Sequence, residues 1–166
     1  MEKAAMDWAQ IRIKLFLDTL GISSDISTLQ NRVCIQKAIF LAQEAGANLG
    51  YSYSWYVHGP YSPELTTDYY ELDNDLSTGD EDYQKYKLIS ALNDPLQKIK
   101  GLFSVPQNIN LSQDKWLELI SSIIFWQKIT NDERITKERI KTDKKALFKY
   151  YIPARKVIKD YGLLGF

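Results

Sequence analysis

Few residues in this chain could do bond-breaking chemistry. There is one histidine, His58, and one cysteine, Cys34. A single histidine leaves no multi-histidine metal centre and no His-based zincin motif within one chain. A Ser-His-Asp triad would have to use His58, with Ser62 four residues on and many acids to complete it. Ser62, however, sits where helix capping accounts for it, and no Gly-x-Ser-x-Gly elbow is present. Cys34 lies in an apolar helical run with nothing beside it to lower its pKa, so it is expected to be an inert core residue. The eight glycines are scattered singly, without a phosphate-binding or dinucleotide-binding pattern. Counting a calcium loop from Asp73 puts Thr78 where glycine is required and Gln84 where glutamate is required, so residues 73–82 read as a solvated acidic loop. No catalytic residue, metal or cofactor is expected, and by elimination the chain reads as a binding protein.

Two groups of residues could bind. The first is the aromatic set Tyr51, Tyr53, Trp55, Tyr56 and Tyr61 around the turn His58-Gly59-Pro60. Aromatic rings can stack on bases, but no lysine or arginine occurs between Lys37 and Lys85, and the neighbouring charges are acidic. This face therefore suits a protein partner, with Trp55, Tyr56, His58, Gly59, Pro60, Tyr61 and Ser62 as its contact residues. The second group is basic. Residues 1–83 hold 5 Lys/Arg against 13 Asp/Glu, and residues 84–166 hold 16 against 8, so net charges of −8 and +8 cancel. Opposite halves attracting across one folded surface is the simpler explanation. The alternative is a DNA-binding regulator whose C-terminal helices place Arg134, Lys137, Arg139, Lys141, Lys144 and Lys145 on phosphates.

The elements that must position these groups follow from spacing. Trp8, Ile11, Leu15 and Leu20 recur near helical period over 4–20, and Gly21 stops that run. A second helix covers about 29–45, capped by Ser27 or Thr28. Val33, Cys34, Ile35, Ala38, Ile39, Phe40, Leu41 and Ala42 form its buried face, while Gln30, Arg32, Gln36, Lys37, Gln43 and Glu44 form its wet side. Residues 51–57 alternate as a short strand, and His58-Gly59-Pro60 breaks it. Ser62-Pro63-Glu64 then opens a helix to about Leu72. A helix over 81–102 with Tyr83, Tyr86, Leu88, Ile89 and Leu92 inward, turned or kinked at Pro95, precedes a central helix over 113–129 capped by Ser112. Pro153 opens the last helix, Ala154 to Tyr161.

The fold class is mainly α: a single domain over 1–166 with a small β element, for which a winged-helix-like arrangement is one form. The chain has 166 residues, 45% of them hydrophobic and 21 aromatic, which is enough for one core. Its polar opening and the lack of a long apolar run lead to the expectation of a soluble cytoplasmic protein, and a lone thiol fits a reducing compartment.

Ile35-Gln-Lys-Ala-Ile-Phe-Leu-Ala-Gln43, a glycine-marked break, and Tyr53-Ser-Trp-Tyr-Val-His-Gly-Pro-Tyr-Ser-Pro-Glu-Leu65 together resemble the Panacea (SocA-like) antitoxin domain and the related YwgA-like proteins. The resemblance is good over about 30–72 and loose over 131–164, where such proteins also tend to end in a helix followed by Gly-Leu-Leu. It implies a helical core with a small strand component. It also implies a non-catalytic role, binding and neutralising or escorting a toxin or a phage-defence component. His58 stands where the Panacea turn usually carries tyrosine, and Tyr61-Ser62 leans toward the YwgA-like branch.

Overall fold

The computed structural model describes residues 5–164. Among them are seven α-helices and one two-stranded antiparallel sheet, so the mainly helical class with a small β element holds. Helix α1 spans Trp8–Leu20 and ends at Gly21, whose φ of 72° is the left-handed closing turn. Helix α2 spans Leu29–Glu44, and the Thr28 hydroxyl accepts from the Asn31 amide to cap it. Strands β1 (Ser54–Tyr56) and β2 (Gly59–Tyr61) form a hairpin, pairing Trp55 with Pro60 and Tyr56 with Gly59. Helix α3 is Pro63–Ser77, α4 is Ser90–Ile99, α5 is Gln113–Thr130, α6 is Glu133–Asp143 and α7 is Tyr151–Asp160.

Helices α2 and α5 pack on each other at the centre. Helices α1 and α4 pack on α2, α3 on α1, and α6 and α7 on α5, while β2 is wedged against both α2 and α5. Leu117, Leu119, Ile120, Ile123 and Ile124 of α5 are all buried. Burying each such side chain contributes about 1.5–3 kcal/mol. The Trp116 ring is also inside, and its indole N–H donates to the Leu102 carbonyl at 2.8 Å.

Several expectations are corrected. Gly59 and Pro60 do not merely end a strand; they are strand β2. Proline is tolerated there because the sheet has only two strands, so its missing N–H is not needed by a further neighbour. Helix α3 runs on through Asp73-Asn-Asp into Ser77, because Leu76 extends the packing stripe of Leu65, Tyr69 and Leu72. The expected 81–102 helix is instead a 3-10 turn over Asp82–Lys85, an extended piece, and α4 with Pro95 inside it. Tyr86 and Ile89 are exposed on the extended piece, and Tyr86 meets the Trp8 ring, also exposed, edge-on at 4.8 Å. Helix α7 begins two residues before Pro153. On α2, Gln36 and Lys37 are buried rather than wet. No helix among the described residues is long and apolar enough to cross a membrane.

Candidate functional site

The hairpin is fastened from α2 by three polar side chains. The Gln36 amide pairs with the Ser62 backbone as a strand neighbour would: its oxygen accepts from the Ser62 N–H and its nitrogen donates to the Ser62 carbonyl, both at 3.0 Å. Two helical turns on, Gln43 does the same for Tyr51, accepting from its N–H at 2.9 Å and donating to its carbonyl at 3.0 Å. Between them Lys37, 1% exposed, donates to the Pro60 carbonyl at 2.6 Å. Buried backbone groups must find partners, and these side chains supply them where the sheet has no third strand. The Ser62 hydroxyl accepts from the Leu65 amide as the cap of α3, its expected role.

From the opposite side the hairpin turn is held by Glu118 of α5 and Lys144 at the end of α6. Glu118 is 4% exposed; one carboxylate oxygen lies 3.2 Å from His58 Nδ1, and the other lies 3.9 Å from Lys144 Nζ and 3.8 Å from Lys115 Nζ. Lys144 is itself buried and donates to the Val57 carbonyl at 2.7 Å. Its ammonium also lies 5.1 Å from the centre of the Trp55 ring. Trp55 stacks on Phe125 and leans on Trp126, so it anchors the hairpin to α5. Gly59 passes so close to α5 that a Cβ there would lie 2.8 Å from Ser122 Oγ, and its φ is +91°. Small residues on α5, Ser121 and Ser122, give the strand room to approach.

Burial drives the Lys37 pKa down from 10.5 to about 7, with Glu118 opposing and Lys144 adding to the fall. Burial lowers Lys144 as well, with Glu118 again opposing. The unfolded chain keeps these protons to about pH 10, whereas the folded chain releases that of Lys37 from about 7. From about 7 to 9 the unfolded state therefore binds more protons and stability rises with pH, and above about 9 the buried Cys34 thiol, which keeps its proton to about 11 in the folded chain, offsets the rise. Beyond about pH 10 the sign reverses, because burial raises Tyr51, Tyr53, Tyr69 and Tyr151 and the folded chain then holds the extra protons. Thermal melts from pH 6 to 9 should therefore show a rise in Tm that is smaller in Lys37→Met. Equal slopes in the two proteins would refute the Lys37 assignment.

A cavity of about 310 Å³ opens between α2, the hairpin and α3. Val33, Gln36 and Lys37 line it from α2, His58 and Tyr61 from the hairpin, and Tyr69 from α3. Arg32 and Thr66 also line it, as do Leu29, Tyr56, Val57 and Tyr70, the last four all exposed, Val57 to 82%. No aspartate or glutamate lines it, while Arg32, Lys37 and His58 do.

The seven residues expected to meet a partner thus divide. Tyr56 and His58 present surface, and Tyr61 lies part-buried in the cavity wall with its ring edge-on to Tyr56 at 4.9 Å. Gly59, Pro60 and Ser62 are buried in the fastening, and Trp55 is half-buried against α5. Missed were Lys37, Gln36, Gln43 and Glu118 of the fastening, and Leu29, Arg32, Val57 and Tyr70 of the cavity. The seven-residue spacing of Gln36 and Gln43 places them on one helix face, a signal that could have found the first pair.

Of the basic C-terminal residues, Arg134, Lys137, Arg139, Lys141 and Lys145 are exposed, but Lys144 faces inward. Arg139 lies over the Trp126 ring at 4.6 Å. Cys34 is buried, and its thiol is pushed up to about 11 by burial and by Asp114, against the pull of Lys37, as suits a core residue. Among the described residues no group of three or more His, Cys, Asp or Glu could hold a metal ion. Compared with family models, curated proteins and solved structures, the chain matches none.

Proposed function

We propose that this chain is a non-catalytic, cytoplasmic protein-binding module of the toxin-antitoxin or phage-defence kind, which binds and neutralises or escorts a partner protein. One observation carries the reading: Leu29, Tyr56, Val57 and Tyr70, all exposed and apolar, converge on one cavity whose wall is a fastened hairpin. Exposed aromatic and aliphatic side chains on a pre-ordered support are what a binding hot spot needs, since little entropy is lost on docking. The resemblance of residues 30–72 to Panacea and YwgA-like domains supports the class of partner. Lys37, Glu118 and His58 support a scaffold role rather than a catalytic one, because each is engaged with the hairpin or its turn.

The test is co-expression with the products of neighbouring genes, followed by co-purification with the wild-type chain and with Val57→Asp/Tyr70→Ala. Both positions are exposed, so the variant should melt like the wild type. It should lose its partner at least tenfold, the loss of about 1.4 kcal/mol or more expected at a hot spot. Charge reversal at Lys137 and Lys141 serves as the contrast. If that variant loses binding, and the wild-type complex is a salt-sensitive one with DNA, the regulator reading replaces this one.

A further inference from the structure

The charge of the cavity wall says more than its shape. Arg32, Lys37 and His58 line it without any carboxylate, although residues 1–83 carry 13 acids against 5 Lys/Arg. In so acidic a half, a wall whose permanent charge is the Arg32 guanidinium, with Lys37 turned to the Pro60 carbonyl, favours an anionic occupant. Glu118 lies behind this wall, against His58 Nδ1 and towards Lys144. Arg32 spends only Nη1 on the protein, donating to the Ile26 carbonyl at 2.8 Å, and it pairs with no carboxylate among the described residues. Its remaining N–H groups form the planar fork that binds a carboxylate. Apart from Gln36 and Thr66, the rest of the wall is apolar and aromatic, with Val33, Tyr56, Tyr69 and Tyr70. The occupant must therefore carry a large apolar group and a carboxylate close together.

Size narrows this further. About 310 Å³ is at the lower limit for a whole small-molecule ligand but suits one anchoring residue. The last residue of a polypeptide combines an apolar side chain and a carboxylate on a single Cα, and capture of that carboxylate is a recurring recognition mode. We propose that the cavity binds the C-terminal residue of the partner protein, an aromatic or branched aliphatic side chain seated against Val33 and Tyr70, with its terminal carboxylate on Arg32. This deepens the partner-binding reading and rests on it.

The probe is N-acetyl-phenylalanine, compared with its amide, titrated into the full chain while backbone amide signals are followed by NMR. The free acid should shift signals of residues 29–37, 56–61 and 66–70 and bind about tenfold more tightly than the amide, the contribution expected of a charge-assisted hydrogen bond. Arg32→Gln should abolish that preference. Val57→Glu, a change at an exposed tip that leaves folding alone, should weaken the acid and spare the amide. Equal binding of acid and amide overturns the carboxylate assignment while leaving the apolar surface as a docking site. Shifts elsewhere, or none with either probe up to its solubility limit, overturn the proposal as a whole. Failure of the wider reading shows differently, as partner capture that survives Val57→Asp/Tyr70→Ala.

Discussion

Replacing Glu118 by alanine is expected to destabilise the fold by about 3–5 kcal/mol, the usual consequence of removing one partner from a buried charge cluster. Glu118 is the carboxylate in contact with buried Lys144 and with His58, and it also opposes the fall in the Lys37 pKa. Without it, Lys144 would remain 7% exposed at the side chain with the Val57 carbonyl and the face of the Trp55 ring, but no buried carboxylate, against its charge. The distances of 3.8 and 3.9 Å to the two lysines are long for direct hydrogen bonds, so the effect is a field felt by several cations rather than one strong pair. Glu118→Gln keeps the shape and one acceptor oxygen, though not the charge, and should lose less than Glu118→Ala. Urea unfolding of the three proteins checks this. A loss below about 1 kcal/mol for the alanine variant would mean that the cluster is solvated and that the hairpin does not depend on it.

Gly59→Ala should destabilise by about 2–6 kcal/mol, from two separable causes. One is the backbone: φ of +91° is a region in which an L side chain is strained by about 1–3 kcal/mol. The other is the contact with Ser122 Oγ at 2.8 Å, which demands that this buried side chain or its helix give way and adds about 1–3 kcal/mol. Lys37 Cε and Glu118 Cγ at 3.7 and 3.8 Å are ordinary neighbours and add nothing. The double variant Gly59→Ala/Ser122→Ala should recover the second part and leave the first. Strict additivity of the two single changes would show that the strand does not approach α5 as described.

The helices were legible in the sequence wherever an apolar stripe and a stop signal coincided. The stripes of α2 and α5, Thr28 as a cap and Gly21 as a terminator all behave as their residue types require. The misreadings on α2 and α3 came from polarity taken as a sign of exposure. Gln36, Lys37 and Gln43 are polar because they satisfy the backbone of residues 51–62, a need that exists only once a two-stranded hairpin lies against α2. Likewise Asp73 and Asp75 sit on a helix because Leu76 continues its packing stripe, and no local propensity announces that. The turn at His58 to Ser62 was legible as the organising feature. Its division into buried fastening and exposed surface was not, since this depends on Glu118 and Lys144, which lie 60 and 86 residues further along.

Hydrogen-exchange mapping of the chain with and without its purified protein partner tests the central claim most directly. Partner-induced protection over residues 29–33, 54–61 and 66–70, with α6 unchanged, is the predicted footprint. Protection confined to α6 around Arg134 to Lys145, with the hairpin and cavity exchanging as in the free chain, would contradict it.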